Sequence, residues 1–530
     1  MAVARLLTSF RNQEMTAGTV NLRRTGAPSP AVAGRAAVAY ILGGVATLAV
    51  ASRVAPPSIL LMVGSGAFVA LGVWMFTSER YEHTLAVLML YLGMADGYLK
   101  LRTGSSVMTL ARDALLYAIT LGAIARWIIR REPARFPPTT AWIVFFAGLD
   151  VVEVFNPGTG GIGHGLASLR PDLEFVPLFF FGYGVMRSRE RLRGFLILLL
   201  VICAANGAAS LVQFGETPAQ FASWGPGYSQ KVLGTGNVAG RTFTTSNGVA
   251  HVRPFGLQSD DGGGGDTGML GVAAAIALLG PLRRRRWRET TFIALMAIGT
   301  ILAIVTSQGR GAILASFATL LAYVGLSVVS RRLIPTLGGL IAGGLVTFLV
   351  ISILAGSSSS GLFSRYDTIT PSNVLGTAQA SRGFSISEIP IYIAKYPFGA
   401  GLGQTGPAAG VGKTVSDFNG ETEFTYLILE VGVIGTVLFV AYHIRLMIWS
   451  VLRIRRFEDP ELRAMLAALA APLFGIFANY FAGPASTTSP ESPYLWFIAG
   501  AMVYWFTIGV RAERIRRRDG AVGPPTISCA

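Results

Sequence analysis

The sequence predicts an all-α polytopic membrane protein of about fourteen transmembrane helices with two long extracytoplasmic loops. Three observations predict it. Mean hydropathy is +0.53 and only 14% of the 530 residues are charged, a balance that calls for lipid around much of the chain. Apolar stretches of about 17 to 25 residues recur throughout, each long enough to cross a hydrocarbon core of about 30 Å as a helix, and they run continuously rather than alternating as barrel strands do. Arginines, finally, collect in short clusters between every second pair of stretches, the pattern of cytoplasmic loops.

In order, the stretches lie at 37–54, 58–77, 83–99, 106–127, 139–155, 172–187, 194–214, 266–283, 290–306, 310–329, 334–355, 421–446, 463–483 and 492–510. They divide the chain into a tail (1–36), a first group of helices (37–214), a loop (215–265), a second group (266–355), a large loop (356–420), a third group (421–510) and a tail (511–530). Placing Arg5, Arg11, Arg23, Arg24 and Arg35 inside puts the later clusters inside too: Arg126, Arg130, Arg131 and Arg135; Arg187, Arg189, Arg191 and Arg193; residues 283–286 with Arg288; Arg331 and Arg332; Arg453, Arg455 and Arg456; Arg511, Arg514 and residues 516–518. Lys100 and Arg102 are the exception. Both termini are thus expected in the cytoplasm, and the arginine-bearing first 35 residues read as a retained tail rather than a cleaved signal.

The net charge of +16 is spread over these loops and forms no single basic face, so nucleic acid is not the expected partner. Cys203 falls in an apolar stretch and Cys529 in the tail, so no disulfide between them is expected. Neither a phosphate-binding Gly-x-x-x-x-Gly-Lys-Ser/Thr loop, a Cys/His metal cluster nor a nucleophile elbow is present, which argues against ATP-driven transport and calls for no metal or other cofactor. Segments 156–171, 215–265 and 356–420 fall outside; the last two are long enough to suggest function, and the glycines at 262–265 and serines at 357–360 predict flexibility within them.

Arg170, Arg253, Arg310, Arg382 and Lys395 contradict the inside bias, which makes them candidates for holding an anion, and paired guanidinium forks suit a diphosphate. Arg310, in Thr306-Ser307-Gln308-Gly309-Arg310-Gly311, stands at the mouth of a span and either binds an anionic group or snorkels to lipid headgroups. Arg382 opens an amphipathic segment, 385–396. Glu421 starts a span, as a general base at the interface or as an acid complementing the helix dipole. Arg112 and Asp113 read as a structural pair within a span, with an intramembrane functional role as the alternative. Asp260, Asp261 and Asp266 flank glycines without calcium-loop spacing. His83 and His443 fall near cytoplasmic ends, His164 and His251 outside.

Taken in order, several segments resemble the O-antigen ligase and Wzy-type polymerase superfamily of bacterial envelope glycosyltransferases. Phe155-Asn156-Pro157, Ser168-Leu169-Arg170 and Val176-Pro177-Leu178-Phe179-Phe180 are similar to its exopolysaccharide-polymerase branch, and Arg253-Pro254-Phe255-Gly256 to its Arg-x-x-Gly segment. Arg310-Gly311 resembles its Ser-Arg-Gly helix start, with Gln308 and Gly309 between Ser307 and the arginine. Arg382 followed by Tyr396-Pro397-Phe398-Gly399-Ala400-Gly401-Leu402-Gly403 resembles its long-loop signature, and Leu429-Glu430-Val431-Gly432 the helix leaving that loop. The histidine and asparagine that many members carry about eleven residues before the Glu-x-Gly step are here Glu421 and Thr422, which makes Glu421 the substitute base.

The resemblance implies a GT-C-like architecture in the bacterial inner membrane and a donor glycan on undecaprenyl diphosphate. It also implies polymerisation of a surface polysaccharide such as O-antigen or exopolysaccharide, with a chain-length regulator and a flippase as partners. Delivery of the glycan to lipid A core or protein by a ligase, and a non-enzymatic lipid-linked sugar transporter, are the alternatives. Damage at Arg112 with tolerance at Glu421 is the expected mark of the transporter, and the reverse that of the enzyme.

Overall fold

The computed structural model describes residues 57–105, 107–131, 136–235, 238–239, 241–244, 248–280, 287–327, 374–405 and 421–511. The chain divides into two units, 1–64 and 65–530. In the first, the described residues begin helix α1 (Pro57–Thr77); the account below concerns the second. The expected spans at 37–54 and 334–355, the serines at 357–360 and both tails lie outside the described residues.

Helix dominates. α2 runs over Tyr81–Thr103 with a π-helical turn at Tyr91–Ala95, and α3 over Val107–Arg130. Then come α4 (Thr140–Glu153), α5 (Ile162–Leu173), α6 (Pro177–Val185) and α7 (Arg189–Phe214). α10 (Gly263–Leu279), α11 (Trp287–Thr306) and α12 (Arg310–Ser327) form a second group. α13 (Val374–Lys395), α14 (Glu423–Ile454), α15 (Pro460–Asn479) and α16 (Glu491–Tyr504) form the last. Among the described residues seven helices are long and apolar enough to cross a bilayer, and α10 is a shorter apolar one. Exposed Ile128, Ile129, Val144, Phe145, Phe317 and Leu321 give such helices an apolar outer surface. This is a helical, polytopic membrane protein.

Two expected spans are corrected. The stretch 139–155 supplies α4, of 14 residues, and 172–187 is divided: α5 ends at Leu173 and α6, of nine residues, restarts with Pro177 in its first turn. Proline favours that position because it has no amide hydrogen to leave unpaired.

Without a water-driven force between helices in lipid, close packing of small residues holds the bundle. α10 is its centre, against α7, α11, α12 and α15. A side chain at Gly207 of α7 would overlap the Gly299 carbonyl of α11; Gly182 of α6 and Gly500 of α16 are locked in the same way, each against the other helix's backbone.

The described residues of the segment 215–265 form helices and paired strands. Helices α8 (Pro218–Ala222) and α9 (Pro226–Leu233) lead into two short hairpins, β1 (Gly234–Thr235) with β2 (Val238–Ala239), and β3 (Thr242–Thr244) with β4 (Ala250–Val252). Phe221, Tyr228, Val232, Val252 and Phe255 cluster with Leu101 at the end of α2. The expected flexibility at 262–265 is likewise corrected. Those glycines are buried, Gly262 as the cap of α10 and the other three in its first turn, where side chains at Gly264 and Gly265 would overlap Ser210 and Ser307.

Candidate functional site

The Arg253-Pro254-Phe255-Gly256 segment is held by amides buried in α7. Gln213 Oε1 accepts the Phe255 and Gly256 N–H groups at 2.9 and 2.8 Å, and its Nε2 donates to the Gly256 carbonyl at 2.8 Å. Asn206 Oδ1 accepts Leu257 N–H at 2.9 Å. Gly256 sits at φ +66°, a left-handed conformation in which a side chain is strained. The turn closes with Gly262 N–H on the Pro254 carbonyl at 3.0 Å.

Arg253 emerges from this turn half-buried and pairs with Asp261 at 2.6 Å, with Arg241 on the other Asp261 oxygen at 3.4 Å. Lys231 pairs with Asp260 at 2.5 Å. Burial pushes the Asp260 carboxyl up, but Lys231 outweighs it, with Lys100 and Arg241 adding to the pull, and the carboxyl lies below the usual range.

Gly262 ends the turn against Gly309, the residue before Arg310. Half-buried Arg310 opens α12, and Gly311 packs on Asn479 and Ala482 at the end of α15. Asn479 Nδ2 donates to Glu491 Oε1 at 3.1 Å, and Glu491 is hydrogen-bonded to Asp266 in the first turn of α10. Glu423 N–H donates to the Tyr480 carbonyl at 2.9 Å, while Glu423 Oε2 accepts Ser486 N–H at 2.9 Å. The N-termini of α10, α12, α14 and α16 therefore meet at one end of the bundle. Asp266, Glu423 and Glu491 offset the partial positive charge at the starts of α10, α14 and α16, so the start of α12, with Arg310 in it and the Arg253 turn against it, is the part that suits an anion.

Glu421 lies exposed, one residue ahead of Thr422, which caps α14 through the Thr425 N–H at 3.2 Å. The more enclosed acid is Glu423, fully buried at the first position of α14.

The long-loop signature docks elsewhere. Glu430 accepts Gly403 N–H at 2.5 Å and Thr405 N–H at 2.8 Å. Ala400 N–H donates to the Leu429 carbonyl at 2.7 Å and Val433 N–H to the Pro397 carbonyl at 3.0 Å. These bonds complete a break in α14 at Gly432, whose φ is +68°. On its other side the loop meets the Asn156-Pro157 turn: Leu402 N–H donates to Thr159 Oγ1 at 3.0 Å, and Gln404 Nε2 to the Gly158 carbonyl at 2.5 Å. Three segments read separately in the sequence thus form one joint.

The candidate residues fall in three places. Arg253, in the 253–262 turn, and Arg310, at the start of α12, lie where Gly262 meets Gly309. Lys395 is exposed at the end of α13 with its ammonium 5.2 Å from the Tyr396 ring; Arg382 is on the same helix, and its side chain lies outside the described residues. Arg170 joins a different cluster, bonded to Asp113 at 2.7 Å and Glu174 at 3.4 Å. There Arg112 also meets Glu174 with both oxygens at 2.7 and 2.8 Å, Asp113 at 3.3 Å and Asp96 at 3.6 Å. The structural pairing read for Arg112 and Asp113 holds, within a larger network.

Asn206, Gln213, Glu423, Asn479 and Glu491 were not legible as site residues. Their signal is polarity at or inside apolar stretches, where unpaired polar groups are costly.

Comparison with known proteins bears on this arrangement. No family model matches the chain. A curated relative, the O-antigen polymerase of Salmonella muenchen, is 22% identical over 401 residues, covering 73% of this chain and 94% of its own length. The chain is similar to an O-antigen polymerase. The likeness supports the superfamily resemblance carried by the motifs, and it takes in nearly the whole of that polymerase.

Proposed function

We propose that this chain is a polymerase of surface polysaccharide that joins undecaprenyl-diphosphate-linked repeat units on the outer face of the bacterial inner membrane, with both chain termini in the cytoplasm. The observation that carries the reading is the approach of the turn that holds Arg253 to the start of α12, which holds Arg310, at Gly262 and Gly309. This is where a diphosphate gains most from charge-assisted hydrogen bonds. The similarity to an O-antigen polymerase gives the substrate class.

In the reaction, a hydroxyl of the acceptor sugar forms a bond to the anomeric carbon of the donor, whose bond to the diphosphate oxygen breaks. The bonding pair leaves with undecaprenyl diphosphate, and Arg253 and Arg310 stabilise the charge that develops there. Glu421 takes the hydroxyl proton. Arg382 and Lys395, on α13, approach the lipid-linked substrate from the large loop. Arg170 supports the fold through Asp113 and Glu174. A chain-length regulator and a flippase act beside the enzyme, limiting its product and supplying its substrate.

The test is the length distribution of glycan made by purified protein in liposomes supplied with lipid-linked repeat units, for wild type and Glu421→Gln. A ladder lost in the variant supports polymerisation with a base at that position. A ladder that survives moves the base elsewhere. Transfer only after a second acceptor is added indicates a ligase, and translocation without new bonds a transporter.

A further inference from the structure

The turn joining α15 to α16, residues 480–490, and the first turn of α16 carry an unusual set of buried polar atoms. Thr487 Oγ1 and Ser492 Oγ are buried without a hydrogen-bond partner, in residues 7% and 0% exposed. Ser486 Oγ and Ser489 Oγ are two more such atoms. Glu423, 0% exposed, is tied to this turn by one carboxyl oxygen on Ser486 N–H, while its other oxygen, Oε1, has no partner. Native structures pair almost all such groups, because a buried hydroxyl or carboxyl oxygen has given up water without replacement.

The kind of partner follows from the atoms. The hydroxyls each offer a donor and acceptors, and Glu423 Oε1 offers an acceptor to a donor. An anion could bond only to the hydroxyl donors and would meet Glu423, Glu491 and Asp266 at close quarters. A polyprenyl chain would satisfy none of them. A sugar satisfies all of them, since its hydroxyls donate and accept. The charges next to the turn divide the same way: the cations Arg253 and Arg310 are held by the 253–262 turn and α12, and the carboxyls by α10, α14 and α16.

We propose that Glu423, Thr487, Ser489 and Ser492, with Asn479 holding Glu491 alongside, form the subsite for an uncharged sugar of the acceptor glycan. This rests on the polymerase reading, in which the acceptor hydroxyl must come close to Glu421, two residues before Glu423. Diphosphate and sugar are bound by separate parts of one end of the bundle, and an acidic sugar is disfavoured in this subsite.

The test is the double variant Thr487→Val, Ser492→Ala, close in shape to the native residues. Because hydroxyls without protein partners contribute nothing to the unliganded fold, thermal stability in detergent without substrate should be unchanged or slightly higher. In the liposome assay the KM for lipid-linked repeat units should rise about tenfold or more, with kcat largely kept, as for the loss of one or two neutral hydrogen bonds. Lower stability with unchanged KM would overturn the proposal, showing the hydroxyls to be structural groups bridged by water. A second readout stands apart from turnover. Undecaprenyl-diphosphate-linked oligosaccharide should stabilise the wild type more than bare undecaprenyl diphosphate does, and the double variant should lose that difference. An equal difference in both proteins overturns the subsite even if elongation is observed; no elongation together with a sugar-dependent shift lost in the variant retains the subsite and sinks the polymerase reading.

Discussion

Two clusters of charge in this bundle differ in how their bonds are filled. Around Arg112 each side chain has an ionic partner: the guanidinium grips both Glu174 oxygens, reaches Asp113 and Asp96, and lies 5.2 Å from the Phe175 ring, while Arg170 pairs with Asp113 and Glu174, and Asp96 Oδ1 is left without a hydrogen bond. Where α14 and α16 begin, Glu423 uses one oxygen and leaves the other, and the hydroxyls of Thr487 and Ser492 meet no partner. A network of paired charges suits the positioning of helices; unpartnered hydroxyls have bonds to give to something else.

The sharpest test of this contrast is Arg112→Leu. It leaves Asp96, Asp113 and Glu174 around Arg170 alone, and removing one partner of such a buried set costs about 3 to 5 kcal/mol. Chemical unfolding in detergent reads the loss, and wild-type stability would break the comparison. Damage at Arg112 is then a folding defect and no longer marks a transporter. Next in size, Arg310→Ala should lower polymerisation about a hundredfold, the scale of losing one preorganised donor to developing charge, with the unfolding midpoint nearly unchanged. A large drop in stability instead would place Arg310 in the structural class.

Glu430→Ala tests the joint between loop and α14. Loss of two backbone bonds to a carboxylate should cost about 1.5 to 3 kcal/mol and increase protease cutting near residue 403, with the Arg112 network intact. The smallest effect is expected at Asp459, which caps α15 through Glu461 and Leu462 N–H at 2.8 and 3.1 Å and pairs with Arg189 at 2.5 Å. Asp459→Ala should cost about 1 kcal/mol. Partial burial pushes this carboxyl up, but the Leu462 amide and Arg189 outweigh it and hold it below its ordinary value. Its contribution is thus full above a pH of about 4 and is lost as pH falls through the folded-state value, so the gap between wild type and variant should narrow in acid.

Hydropathy located the long helices well. The expected 310–329 is Arg310–Ser327 and the expected 463–483 is Pro460–Asn479, because a span sums about twenty residues of the same preference. It could not give α4 and α6 their short lengths, or the hairpins of the 215–265 segment, which depend on packing such as that of Phe221 and Phe255 against Leu101. For the site, residue type and side of the membrane singled out Arg253 and Arg310, since a cation against the topological bias is visible locally. Their surroundings were not. Asp261 was read and set aside for lacking calcium spacing, and Glu491 meets Asp266 only after more than two hundred intervening residues have folded.

The break at Gly432 has a consequence for biogenesis. As α14 enters the bilayer its helix is incomplete: the Val433 amide and Leu429 carbonyl find partners only in Pro397 and Ala400, on the segment that precedes it. An exposed peptide group in hydrocarbon is costly, so the span reaches its final state only once the preceding segment has folded against it. Completion of the span thereby waits on residues 397–400, and a chain in which they fail to dock holds a span that the membrane cannot yet accept in its final form.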